Sequence, residues 1–266
     1  MKKTTKALLL AVLLLFVHLP CVFAAQEDNA AVWIIPFMGD MKIPAGFSAV
    51  EVKDFRNFVD KEKKTVTDPA KNNQPPGNPA KPPVMPEGTP SLLKDAIPAD
   101  QDSAVLRLRK SEFALYHMTM DDGSAIHMAW FFAAKDGEKM PPALDFFSKE
   151  LTADQTGKLD ELKNWVDANI EKAQYVDPKN NVSMKLIEML PIQALPQADG
   201  QMWTAGARAM VTVDDMPFAF FCRAYGMSIE GHLAVGILAG FDGERPFWDP
   251  VIRNALTSLA PKAVTN

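Results

Sequence analysis

The sequence predicts an α+β fold in which an antiparallel sheet packs against helices. Three observations carry that expectation. Apolar runs of strand length rich in Val, Ile, Phe and Met flank one helical stretch; an Asp-Gly turn joins two of them; and a capping signature precedes apolar residues at 3-4-4 spacing.

The chain opens with Lys2, Lys3 and Lys6, an unbroken apolar run over 7–17, Pro20, and Val22-Phe23-Ala24. This order reads as a secretory signal peptide over 1–24, because the apolar run is too short to cross a bilayer and stay. Cys21 follows Pro20 rather than the small residue a lipobox requires, so cleavage after Ala24 is expected instead of lipidation. Residues 25–266 then form a single exported domain, periplasmic or secreted. No later apolar run is long enough to span, so no transmembrane anchor is expected after cleavage. Cys222 is left as the one thiol, and a lone cysteine makes no internal disulfide. Its position at the end of Phe218-Ala219-Phe220-Phe221-Cys222 predicts a buried core residue.

The full chain carries 28 basic and 33 acidic residues, a net charge of −5. Loss of the three leader lysines takes the mature domain to about −8. That balance argues against nucleic-acid partners and against docking on anionic lipid.

Strands are expected at 32–37 and 47–55, joined through Ile43-Pro44-Ala45-Gly46. Residues 61–102 are polar and proline-dense, centred on Asn72-Asn73-Gln74-Pro75-Pro76-Gly77, and predict a flexible insertion. Leu92, Leu93 and Ile97 could pin its far end to the fold. Strands over 104–120 and 125–134 meet across Asp121-Asp122-Gly123. Pro141-Pro142 predicts a short helix to Leu151, and Thr152-Ala153-Asp154-Gln155 a capping box. Leu159, Leu162, Val166 and Ile170 then give the next helix one apolar face. Strands follow at 182–194, 202–213, 216–225 and 227–241, with a hairpin at Asp214-Asp215. Gly231, Gly236 and Gly240 suggest close approach to the last strand. Val251, Ile252, Leu256 and Leu259 form the stripe of a closing helix opened by Phe247-Trp248.

Ile43-Pro44-Ala45-Gly46-Phe47, with the final strand and the helix around Trp248-Asp249-Pro250-Val251-Ile252, resembles the photosystem II extrinsic-protein (PsbP-like) fold. That resemblance covers element order over most of 32–259, and the long proline-rich insertion departs from it. It implies a non-enzymatic accessory or binding protein of the cell envelope and carries over no binding residues.

One constellation suggests chemistry. His117, Met118 and Met120 face His127 and Met128 across the Asp-Gly hairpin, and thioether with imidazole suits Cu(I) or Ag(I). A two-residue loop pairs His117 with Met128 and His127 with Met118, leaving Met120 on the latter face. A bulged turn instead sets His117 against His127. The structural alternative is that these methionines fill core and the histidines are hydrogen-bonded. No nucleophile elbow, zinc-helix, CxxC or phosphate-loop pattern occurs. Asp121-Asp122 and Asp214-Asp215 sit at turns, where aspartate bonds local backbone.

The sequence therefore predicts an exported binding or accessory protein. Its partner would be an envelope protein or small ligand, held on the sheet face or in a helix–sheet cleft. Trp33, Trp130, Trp203, Phe218 and Trp248 could line such a cleft or simply pack the core. Soft-metal binding at the hairpin is the second reading, and a hydrolase with an unrecognised site the third.

Overall fold

In the computed structural model the described residues are 32–67, 90–91, 107, 110–142, 145–169, 174–177, 181–197 and 200–259. The leader and most of the proline-rich insertion lie outside them. An eight-stranded antiparallel sheet dominates, joined by a separate two-stranded ribbon and helices, so the fold class is α+β.

The ribbon is β1 (Val32–Ile35) with β2 (Gly39–Lys42), paired Ile35 to Gly39 and Val32 to Lys42. A single strand over 32–37 was expected; Pro36 ends it, and the chain turns back through Met38, whose N–H bonds the Ile35 carbonyl at 2.9 Å. β3 (Phe47–Glu51) then runs directly into helix α1 (Lys53–Thr67), which replaces the predicted continuation of the strand and the first residues of the predicted insertion. Phe55 of α1 meets Phe132 edge-on with ring centroids 5.8 Å apart, and Arg56 pairs with Glu51.

β4 (Glu112–Asp121) and β5 (Ile126–Lys139) form the predicted hairpin. Among the described residues of the predicted helix over 141–151, residues 145–151 form turns and bends rather than an α-helix. Instead the Phe146 carbonyl accepts from Trp203 Nε1 at 2.6 Å and from Gln201 Nε2 at 3.0 Å, and the Phe147 carbonyl from Gln201 N–H at 2.7 Å. Those acceptors are turned outward to another strand, which an α-helix would have turned along its own axis. The capping box does form. Gln155 N–H donates to Thr152 Oγ1 at 3.2 Å, and Thr152 N–H to Gln155 Oε1 at 2.9 Å, opening α2 (Ala153–Asn169).

β6 (Gln174–Asp177), β7 (Val182–Gln197), β8 (Gly200–Val213), β9 (Met216–Ile229) and β10 (His232–Phe241) complete the sheet in the order β3-β4-β5-β10-β9-β8-β7-β6. A short 3-10 turn, Asp242–Glu244, leads into α3 (Arg245–Thr257), where Pro246 presets the first turn.

Strand alternation and register sort the sheet into two faces. One carries Phe47, Met118, Phe131, Leu238, Phe221 and Tyr225, and is covered by the ribbon and α3. Trp33 of the ribbon packs at 5.1–5.5 Å against Phe47, Tyr116 and Phe131, while Trp248, Ile252 and Leu256 of α3 are fully buried. Each such side chain contributes on the order of 1.5–3 kcal/mol by leaving water. Two charged links fasten α3 and the turn before it. Arg223 bonds Asp249, which also accepts from Tyr225 Oη at 2.9 Å, and Arg208 bonds Asp242. The Arg208 guanidinium holds the Asp242 carboxyl below the usual carboxylate range.

Two turns test this architecture in opposite directions. Asp214 and Asp215 carry φ of 49° and 64°, the left-handed pair of a type I′ hairpin that favours Asn-Gly. Asp215→Gly is therefore expected to raise Tm by about 1–3 °C. Gly46 has φ +84°, and a Cβ there would strike the Asp121 carbonyl. Gly46→Ala should lower Tm by several degrees in the same thermal scan, since both strain and clash oppose it.

Candidate binding face

The second sheet face is built differently. Along β8, Ala205, Ala207 and Ala209 point to it while Gly206 and Arg208 point away. Across the strands Ala205 pairs with Ala224, Ala207 with Cys222, and Cys222 with Ala239. The centre of this face is thus a floor of small side chains. Trp130 stands beside Ala239 on one flank. At one end Phe220 stacks on Phe241 at 4.8 Å, and Phe218 lies 6.5 Å from Phe241. At the other end Trp203 donates to Phe146, and the Phe147 ring lies against Gly226. Phe218, Phe241 and Met216 are 37 %, 42 % and 57 % exposed, which makes this end an accessible apolar patch rather than core.

Cys222 corrects an expectation. It is exposed, because the aromatic run around it is a strand with Phe221 facing the core and Phe220 and Cys222 facing the other way. Yet desolvation by the surrounding protein pushes its thiol up to about 11.

The five residues of the Met/His hairpin divide between the two faces. The register is neither of those expected: Asp121 pairs with Ile126, so the loop spans Asp122 to Ala125, Met120 opposes His127, Met118 opposes Ala129, and His117 opposes Trp130. Aspartate chemistry widened the turn. Asp122 Oδ1 accepts from Ser124 N–H, Ser124 Oγ and Ala125 N–H, and Asp121 Oδ1 from Gly123 N–H. Those donors hold the Asp122 carboxyl well below its usual range, the Ser124 hydroxyl first among them.

Met118, Met120 and His127 share the covered face, the two methionines buried in the core. His127 is engaged on both edges, Nδ1 lying 3.0 Å from Glu244 and Nε2 3.3 Å from Asp122, with its ring stacked on Phe247 at 3.6 Å. His117 and Met128 lie on the second face, where His117 tilts against Trp130 at 5.7 Å. Burial pulls the His117 imidazole below its ordinary value, toward the neutral form. Among the described residues no group of three or more His, Cys, Asp or Glu side chains is placed to hold a metal ion.

The five aromatic candidates also part company. Trp33 and Trp248 are buried in the core, whereas Trp130, Trp203 and Phe218 belong to the second face. The small-residue floor was missed. Its signal was present as the alternation Ala205-Gly206-Ala207-Arg208-Ala209, but only pairing with β9 turns that row into a surface. His232 has Nδ1 2.9 Å from the Asp136 carbonyl oxygen.

No protein-family model, curated protein or solved structure matches this chain. No helix among the described residues is long and apolar enough to cross a membrane.

The two properties of Cys222 predict an unusual titration. With its thiol near 11, the thiolate fraction at pH 7.5 is about a hundredfold below that of an unperturbed cysteine. Iodoacetamide should label native protein slowly at pH 7.5, with the rate rising about tenfold per pH unit toward pH 10. Mass spectrometry of the labelled peptide reads this, and rapid native labelling at pH 7.5 contradicts it.

Proposed function

We propose that the protein is an exported binding or accessory protein that takes an elongated apolar ligand, or an apolar segment of an envelope partner, on the second face of its sheet. One observation carries the reading: the accessible floor of Ala205, Ala207, Cys222, Ala224 and Ala239, with aromatic groups at its ends and flank. Small side chains leave room above the sheet, and aromatic rims supply contact area at low entropic cost. The opposite face has no such room, because the ribbon and α3 fill it. The export half of the proposal rests on residues 1–24, and the envelope setting on the resemblance to PsbP-like accessory proteins.

Soft-metal handling has less support. Met118, Met120 and His127 do share a face, but both imidazole edges already face carboxylates and both thioethers are packed in the core. Met118→Leu is expected to leave Cu(I) competition against a weak chelator unchanged. A loss of Cu(I) binding in that variant would favour the metal reading over this one.

The binding reading is tested with 1-anilinonaphthalene-8-sulfonate on the mature, folded protein. Saturable fluorescence enhancement is expected, weakened at least tenfold by Ala207→Trp, which fills the floor. Far-UV circular dichroism and Tm of the variant should match the parent. Absence of saturable binding, or equal binding by a folded Ala207→Trp protein, overturns the proposal.

A further inference from the structure

We infer that the exposed apolar end of this face docks a basic amphipathic segment of a protein partner; the inference rests on the binding reading above. Topology defines the end. In the antiparallel order β4-β5-β10-β9-β8, the β4–β5 turn, the exit of β10 and the β8–β9 turn all lie on one side of the sheet.

Apolar side chains gather there. Phe241 and Phe220 are cross-strand partners, with Phe218 two residues back along β9 and Met216 two further. By alternation Ile126 shares the face with Met128 and Trp130, at the tip of the β4–β5 hairpin. Ile126 is 58 % exposed, so the accessible patch reaches across β5, β10 and β9 instead of ending at one hairpin.

Carboxylates border this patch. Asp121 and Asp122 stand at one hairpin tip and Asp214 and Asp215 at the other, all four exposed. Asp242 and Glu244 lie between the tips, on the chain leaving β10. The cations present serve mainly this middle pair: Arg208 and Arg245 meet Asp242, and His127 meets Glu244 and Asp122. Asp121 Oδ1 accepts from its own loop and Asp214 Oδ1 from Asn181 at 3.3 Å, so among the described residues no cation neutralises either. The opposite end of the sheet is balanced, with Arg107 on Asp136, Lys110 on Glu138 and Lys135 on Glu230.

An apolar patch between unneutralised carboxylates favours apolar side chains carried between lysines or arginines, and disfavours an acidic partner. The two tips are three interstrand spacings apart, roughly 14 Å. An extended segment covers that distance in about four residues. Cations at i and i+4 would then reach both tips while residue i+2 meets the aromatic patch.

Isothermal titration calorimetry on the mature, folded protein tests this with the capped peptide Ser-Lys-Leu-Phe-Leu-Lys-Ser and its counterpart carrying Glu for both Lys. Saturable binding is expected for the first, and at least tenfold weaker binding for the second. Asp121→Asn with Asp215→Asn keeps a turn-forming side chain at both tips and should weaken the first peptide at least fivefold. Phe218→Thr should weaken it by a similar factor, with circular dichroism reporting that each variant is folded. Equal affinity for the two peptides in the parent protein overturns the inference and requires no variant. Binding that either folded variant leaves unchanged overturns it as well. So does absence of peptide binding; saturable, Ala207-dependent binding of 1-anilinonaphthalene-8-sulfonate would then leave the binding reading standing. If neither the peptide nor that probe binds, both proposals fail.

Discussion

The seam between β5 and β10 is the constraint on which the rest of the structure depends. Strands β3, β4 and β5 come from the first part of the chain and β6 to β10 from the second, and the sheet is continuous only because β5 pairs with β10. That pairing needs room for an aromatic ring at a strand crossing. Gly236 provides it: a Cβ there would lie 3.0 Å from Phe131 Cε2 and still closer to the ring tip. Phe131 is fully buried and meets Trp33 of the ribbon, so the missing side chain on β10 lets the ribbon dock as well. Gly240, four residues along, makes similar room beside Phe221.

Once the seam is closed, the two sheet faces take different roles for reasons of side-chain volume. On the covered face, large residues from β4, β5, β9 and β10 interlock with α3 and the ribbon, and Arg223 and Tyr225 of β9 meet Asp249 of α3 among them. Burial, reinforced by the charge of the Asp249 carboxylate that accepts its hydrogen bond, raises the Tyr225 hydroxyl far above its ordinary value, so it serves as a fixed donor to α3. On the second face β8 and β9 contribute alanines and a cysteine. Such side chains stand low on the sheet and leave room above it.

The elements with strong local chemistry were legible in the sequence. The α2 capping box needs only Thr152 and Gln155 at the right spacing, and the Asp214-Asp215 hairpin only turn-forming residues between strands. Elements governed by distant partners were not legible. Residues 141–151 looked helical because Pro141-Pro142 suits a helix start, but the Phe146 and Phe147 carbonyls are claimed by β8. Likewise Lys53–Thr67 became a helix where the sequence suggested strand to Phe55 and a polar insertion from Lys61, with Phe55 drawn onto Phe132. The hairpin register was not legible either, since two aspartates bonding their own loop moved His127 from Met118 to Met120 and toward Glu244, with all three still on one face.

By itself the sequence determined the α+β class, the antiparallel hairpins and the closing helix, because each depends on nearest-neighbour chemistry or on a pattern repeated within one segment. Only the tertiary structure decided which face of each strand would be covered. It put Cys222 on an accessible floor instead of in the core, split the five Met and His residues of the hairpin between two faces, and aligned Ala205 and Ala207 of β8 with Ala224 and Cys222 of β9. The reason is that alternation along a strand separates residues into two sets without saying which set meets the helices. That choice belongs to whichever distant segments can bury the larger apolar area, and here the ribbon and α3 took the face with the large side chains.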